Sequence, residues 1–407
     1  MTTPTEKAPA PLLRVLRDRA ASRYLLAVFV SGFGTSALWL VAGVWTKELT
    51  GSDGLAALCV SALWAPTLAG PWLGAVVDRV RRGRLLVVVN AGLAVLLLAL
   101  FAVDGPDRLW ILFTVLVLYG ACGVVTEAAE AAFVASAVPG DVLGDLNGLR
   151  MSVNEGTKIL APLAGAALYT AFGGPRVALL DAVTFAVAAG LFAAIPGSRA
   201  QRRARRVRPQ ALDGVRELWA RPPVRRLVLA GGATMFLSGI AAGSLFAVVG
   251  ALGRAPSYTG VLYAVQGAGS VASGLLTGAL LRRFGPHRFA AYGIALFALG
   301  NAVRALPYDA AALAGGAVIG FGLPCPLVAA LTTVQRTTPD ALLGRVSAAA
   351  HTVLFTPTAV ALAAGAGLVE VAPPGVLLPV VGAAGLAVAV AAGAGAGATD
   401  ASQGRGR

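Results

Sequence analysis

The sequence predicts an all-α integral membrane protein with twelve transmembrane helices arranged as two six-helix bundles. Three observations carry that expectation. First, 57% of the 407 residues are hydrophobic and only 13% are charged, with a mean hydropathy of +0.77. Soluble globular chains carry roughly 25% charged residues, so this chain has too little polar material to cover a water-facing surface. Second, the apolar runs are continuous rather than alternating, which selects helices over a barrel. Third, a charged turn recurs half a chain later. Gly74-Ala-Val-Val-Asp78-Arg79-Val-Arg81-Arg82-Gly83-Arg84 aligns with Gly278-Ala-Leu-Leu-Arg282-Arg283-Phe-Gly285-Pro-His-Arg288 at a spacing of 204 residues, with Asp78 replaced by Arg282. A repeat at half the length implies two homologous halves.

Residues 1–22 read as a cytoplasmic tail with a short basic amphipathic segment. The first half, 23–195, holds predicted helices at 23–45, 54–77, 85–103, 109–137, 146–172 and 176–195, punctuated by Asp104-Gly-Pro-Asp-Arg108, Pro139-Gly140 and Gly173-Gly-Pro175. Residues 196–226 form a basic cytoplasmic linker. Its second part, Ala211–Trp219, places apolar residues at 211, 212, 215, 218 and 219, the stripe of an amphipathic helix lying at the membrane surface. The second half, 227–397, repeats the plan with helices at 227–252, 258–281, 289–306, 310–334, 343–369 and 375–397, and 398–407 is a cytoplasmic tail. Twelve spans need about 240 residues, which leaves room for every turn.

The net charge of +14 could suggest nucleic acid, but this arrangement puts nearly all Lys and Arg on one side of the membrane. That asymmetry places both termini in the cytoplasm and the chain in the inner (plasma) membrane. A nucleic-acid partner is therefore not expected, and the lipid bilayer is. Cys59, Cys122 and Cys325 all fall in apolar segments, without the spacing of a disulfide framework or a metal site. No phosphate-binding loop and no nucleophile with His and Asp partners occurs, so the chain reads as a non-enzyme without cofactor or metal.

The Gly-x-x-x-Asp-Arg-x-x-Arg-x-Arg turn closely resembles the loop between helices 2 and 3 of the major facilitator superfamily of secondary transporters. The resemblance covers residues 23 to about 397. It implies a central cavity between the bundles, open alternately to either side, and a cytoplasmic gate built from Gly74, Asp78, Arg79, Arg82 and Arg84, with Arg345 at the start of the eleventh helix as a partner for Asp78. Glu48-Leu-Thr-Gly-Ser52 resembles the enterobactin-exporter and macrolide-efflux branch. Ala161-Pro162-Leu-Ala-Gly165-Ala166 resembles the Gly-Pro-x-x-Gly-Gly element of antiporters, with Ala at the first and last glycines, so Pro162 and Gly165 would let the fifth helix bend and press against the other half. The arginine that drug/proton antiporters often carry in helix 4 is absent. The branch implies export of an amphiphilic small molecule by a monomer in exchange for protons. Uptake by symport, or a non-transporting sensor of the same fold, are the alternatives.

Ionisable groups inside spans are expensive and therefore candidates for coupling. Glu127 and Glu130 lie three apart on the fourth helix, Glu155 and Lys158 three apart on the fifth, with Arg150 nearby. An antiparallel hairpin turning near residue 141 would gather them in one layer, either as a proton site or as an ion-pair lock. Of these, Glu130 is expected nearest the inner surface and solvated. His351 is a further proton candidate. Trp39, Phe236, Phe246 and Gln266 are candidates to line the substrate cavity, with Gln266, Asn301 and Asp181 also readable as helix–helix hydrogen bonds.

Overall fold

A computed structural model describes residues 15–69, 73, 80–138, 140–195 and 211–403. Among these the only regular structure is helical. The first half contains α1 (Arg19–Thr50), α2 (Asp53–Trp64), α3 (Arg82–Leu97), α4 (Leu109–Ala137), α5 (Gly140–Phe172) and α6 (Gly174–Ala193). A surface helix, α7 (Ala211–Ala220), precedes the second half. That half contains α8 (Pro222–Gly243), α9 (Leu245–Ala251), α10 (Thr259–Arg304), α11 (Asp309–Gly322), α12 (Pro324–Thr337), α13 (Asp340–Val371) and α14 (Pro374–Gln403).

Nine stretches among the described residues are long and apolar enough to cross a membrane. One of them, spanning Pro256–Arg304, holds two legs, because α10 folds back at Gly285, whose φ of 72° only glycine adopts readily. Two shorter apolar stretches, Asp53–Ala69 and Leu160–Phe172, complete the twelve. The expected seven-residue turn at 282–288 is thus narrower than the sequence suggested. Arg282, Arg283 and His287 sit on helical turns flanking one glycine.

Helix ends follow ordinary capping chemistry. The Asp18 carboxylate accepts from the backbone of Ala20 and Ala21 at 2.9 and 2.7 Å and starts α1, while Gly51 at φ 72° ends it. Ser52 caps α2 by accepting from Leu55 N at 3.0 Å. Pro222, Pro324 and Pro374 open α8, α12 and α14, where a missing N–H costs nothing.

Within the first half, α1 packs between α5 and α6, and α4 lies against α2 and α3; within the second, α8 packs on α13 and α10 runs along α11 and α14. α7 docks on α13 and buries Leu218 completely, with Val215 and Trp219 facing out. It therefore lies against the second bundle as well as along its surface.

The halves meet through α2 against α13 and α5 against α10. At the turn between α1 and α2, Glu370 on α13 accepts from Ser52 Oγ at 2.8 Å and from Gly54 N at 2.7 Å, across the boundary. Further in, Trp39 on α1 meets Tyr263 on α10 edge to face, with centroids 4.9 Å apart. Phe246 inserts its ring over Gly43.

Candidate functional site

A cavity of about 280 Å³ opens inside the first bundle, walled by α1, α4 and α5 with Leu93 of α3 and Phe185 of α6. Its inner-end chemistry is built by three helices. α4 brings Glu127 and Glu130 one turn apart, and α5, which begins at Gly140, runs beside them and brings Arg150, Asn154 and Thr157. α1 contributes Tyr24. The Tyr24 hydroxyl donates to Glu130 Oε2 at 3.2 Å, and Arg150 Nη2 lies 3.5 Å from the same oxygen. Glu130 is 7% exposed. This ion pair is single-pronged and long, weaker than the bidentate fork that Arg and a carboxylate form at best. Arg150 Nε and Thr126 Oγ1 are buried and find no hydrogen-bond partner among the described residues.

Toward the opposite end the wall carries Ser31, Thr35 and Tyr119. Tyr119 Oη lies 2.7 Å from Thr35 Oγ1 and 3.0 Å from Asp181 Oδ2, and Asp181 is fully buried. The Thr184 hydroxyl lies 3.0 Å from Asp181 Oδ1. Asp181 approaches α1 because residue 34 is glycine: a Cβ there would collide with Asp181 Oδ1 and Thr184 Oγ1.

The expected layer is therefore realised in part, and one member changes role. Glu130, expected to be solvated near the inner surface, is the buried carboxylate, because Tyr24 and Arg150 close over it. Glu127 lies on the exposed wall of the cavity. The side chains of Glu155 and Lys158 lie outside the described residues. His351 is exposed and stacks on Phe355 at 5.4 Å, away from this cluster's named contacts.

Of the expected gate, Gly74, Asp78 and Arg79 and the side chain of Arg345 lie outside the described residues. Arg82 is half-buried at the start of α3 and Arg84 is exposed. In the α5 element, Gly165 faces Ala37 of α1 within its own half, since a Cβ there would lie 2.9 Å from Ala37 Cα. Contact with the other half is made instead by Pro162 and Ala166, which face Gly260 of α10. Phe246, expected on a cavity wall, is 6% exposed and packed between the halves. Phe236 is 37% exposed. Gln266 accepts from Arg304 Nη2 at 3.0 Å. Arg304 is 4% exposed at the end of α10, packed against Gly315.

Sequence reasoning passed over Tyr24 and Tyr119 because an aromatic in an apolar run reads as core. Their signal is geometric: each supplies a hydroxyl to a carboxylate more than sixty positions away in the chain.

The whole architecture matches solved transporters. A bacterial homologue of the iron transporter ferroportin in its inward-facing state superposes with a TM-score of 0.70 at 17% identity, over 94% of this chain and 98% of that one. A point mutant of a nucleoside transporter gives 0.76 at 12% identity, over 92% and 99%. A D-xylose-proton symporter gives 0.68 at 14%, over 91% and 96%. Identities this low establish the fold alone, and no curated protein sequence matches. The family model of the Major Facilitator Superfamily matches residues 24–364, from the first helix to the later turns of α13. With twelve apolar spans in two halves among the described residues and a polar cavity in one of them, the chain belongs to the major facilitator superfamily and is a multi-pass membrane transporter of that type.

Proposed function

We propose that the protein exports an amphiphilic small molecule in exchange for protons, by alternating access in the inner membrane with both termini in the cytoplasm. The observation that carries this reading is the Glu130 carboxylate, held inside a membrane-embedded cavity between one phenol and one loosely placed guanidinium. A purely structural ion pair would be expected to satisfy its charges fully, since desolvation penalises every unmade contact. Here Arg150 Nε finds no acceptor among the described residues. Glu130 can therefore exchange its ionic partner for a proton without unravelling the bundle. Protonation leaves Arg150 free to turn toward Asn154 and the exposed Glu127; deprotonation draws it back. Coupling then follows if closing the cavity on one side or the other changes which of these arrangements is stable.

The direction of transport is supported by resemblance to exporters in the Glu48–Ser52 and Pro162–Gly165 stretches. On this reading the Glu370 contacts to Ser52 and Gly54 close the outer face. The test uses proteoliposomes with an imposed pH gradient and ethidium as the amphiphilic probe. Expected is gradient-driven ethidium movement toward the proton-rich side, lost in Glu130→Gln, with downhill exchange retained. Movement of the probe in the same direction as protons would favour symport. The absence of gradient-driven and downhill movement across a panel of amphiphiles would favour a non-transporting sensor.

A further inference from the structure

Asp181 is the one fully buried carboxylate among the described residues, and its hydrogen bonds do not close unless a proton is counted on it. Thr35 Oγ1 lies 2.8 Å from the Ser31 carbonyl and 2.7 Å from Tyr119 Oη; Tyr119 Oη lies 3.0 Å from Asp181 Oδ2. Each hydroxyl owns one proton. With Asp181 ionised, Tyr119 donates to Asp181 and Thr35 donates to Tyr119, which leaves the short Thr35–Ser31 contact without a hydrogen. With Asp181 protonated, every contact is filled in one direction: Asp181 Oδ2–H to Tyr119 Oη, Tyr119 Oη–H to Thr35 Oγ1, and Thr35 Oγ1–H to the Ser31 carbonyl. On the other oxygen, Thr184 serves either Asp181 Oδ1 at 3.0 Å or the Asp181 carbonyl at 2.7 Å, so it compensates for neither state alone.

The surroundings reinforce this. Facing Asp181, α1 presents Gly34 and Thr35, α4 presents Tyr119, and α6 itself presents Thr184 and Phe185. Tyr119 is the titratable group among them, and no charged side chain contacts the carboxylate among the described residues. Glu130 with Arg150, and Glu127, stand at the far end of the cavity, Glu130 and Glu127 about 16 and 12 Å from Tyr119 along α4. Asp181 has no direct opening to the cavity, whereas Thr35 and Tyr119 line it.

We propose that Asp181 is a sealed proton-storage site, loaded and emptied through the Tyr119–Thr35 hydroxyl relay that ends in the wall of the first-bundle cavity. Loading is balanced by one proton passing inward. A proton from cavity water bonds to Thr35 Oγ1, the original Thr35 proton shifts to Tyr119 Oη, and the original Tyr119 proton shifts to Asp181 Oδ2. Emptying reverses the three transfers. The role as a second coupling site rests on the proton-exchange reading above, but the storage chemistry does not need a transported substrate to be observed.

The test is infrared difference spectroscopy of the purified full chain in lipid, stepped in pH and transferred from water to deuterium oxide. Expected is a protonated-carboxyl carbonyl band that is absent in Asp181→Asn and kept in Glu130→Gln. In Tyr119→Phe, which preserves the ring and its packing on Phe185 at 5.4 Å, the band should remain while its deuterium shift slows by about tenfold or more. The same band in Asp181→Asn, or an unchanged exchange rate in Tyr119→Phe, would overturn the proposal. Loss of the band on adding sodium chloride at constant pH would overturn it in favour of a sodium site. Because Glu130→Gln reports separately on ethidium transport, failure of the storage site and failure of the proton-exchange reading give different results.

Discussion

The two bundles share one repeated plan but keep different chemistry in their cores. The first holds buried carboxylates, Glu130 and Asp181, each met by a tyrosine hydroxyl. The second holds a buried cation, Arg304, met by the neutral amide of Gln266, and no buried carboxylate among its described residues. Its helices instead approach through glycine: Gly320 lies against the Gln266 backbone, and Gly300 and Gly315 lie against each other. In lipid, helices gain little from hydrophobic association, so close backbone approach and interhelical hydrogen bonds hold bundles together. The second bundle relies on the former and the first leans more on the latter. On the proton-exchange reading proposed above, the first bundle would carry the protons and the second would provide the rigid counterpart.

The largest effect should come from breaking the glycine packing. A Cβ at Gly320 would collide with the Gln266 carbonyl, which is backbone and cannot swing aside. Gly320→Ala should destabilise the protein by about 3 kcal/mol, seen as a fall in thermal midpoint and in monodisperse yield. Gly250→Ala, with nothing within 4 Å of the added carbon, is the matched control. In the first bundle, Gly34→Ala pushes against side-chain oxygens of Asp181 and Thr184. They can rotate, so stability should fall less, while the Asp181 infrared band should shift or broaden. Equal thermal losses at both glycines would dissolve the contrast between the bundles.

Next comes the Glu130–Arg150 pair. Arg150→Gln strands Glu130 beside Tyr24 and should cost about 1–2 kcal/mol, discounted because Arg150 is a quarter exposed. Glu130→Gln/Arg150→Gln together should regain most of that stability without regaining gradient-driven ethidium transport. Recovery of transport in the double variant would reduce the pair to a structural lock.

How far the sequence discloses these features depends on what kind of information each needs. Continuous apolar runs, breaker residues and the half-length repeat specify twelve helices because each signal is local or periodic. The Leu109–Ala137 helix is bounded by the sequence as the structure has it, since Pro106 and Pro139 punctuate both ends. Which of two glutamates one turn apart is buried is another matter. Glu127 and Glu130 differ by only about 60° around α4, counting 3.6 residues per turn, and that rotation is set by Tyr24, far away in the chain. The burial of Arg304 needs the same kind of information. It lies near the end of its helix in the sequence, and only the α10–α11 contact buries it.

A smaller effect is expected where the halves touch. Glu370→Gln keeps the shape but removes the charge that strengthens the bonds from Ser52 and Gly54. For an exposed carboxylate this is worth about 0.5–1 kcal/mol, a roughly two- to fivefold shift away from the closed arrangement. Spin labels at Asp107 and Ala255, on turns of opposite halves, should show a larger population of long distances. An unchanged distribution would mean that Trp39–Tyr263 and Phe246 hold this end closed unaided.

The smallest effects separate two ion pairs that look alike in a contact list. Lys47 and Asp53 lie 2.9 Å apart with 19% and 26% of their side chains exposed, and Lys47 also donates to the Gly51 carbonyl at 2.6 Å. This pair braces the α1–α2 turn whose Ser52 and Gly54 reach Glu370, so it belongs to the boundary between halves. Arg254 and Asp309 form their pair wholly within the second bundle, at 53% and 36% exposure. Exposed pairs are screened and spend side-chain entropy on holding one geometry. Asp309→Asn should therefore leave both the thermal midpoint and the label distances unchanged within error. Asp53→Asn should leave the midpoint nearly unchanged but shift the distances in the same direction as Glu370→Gln, and less far. It frees Lys47 and loosens the turn, while the two bonds to Glu370 remain. If Asp309→Asn moved the distances as much as Asp53→Asn, closure would depend on the general charge of that face rather than on the turn that Glu370 grips.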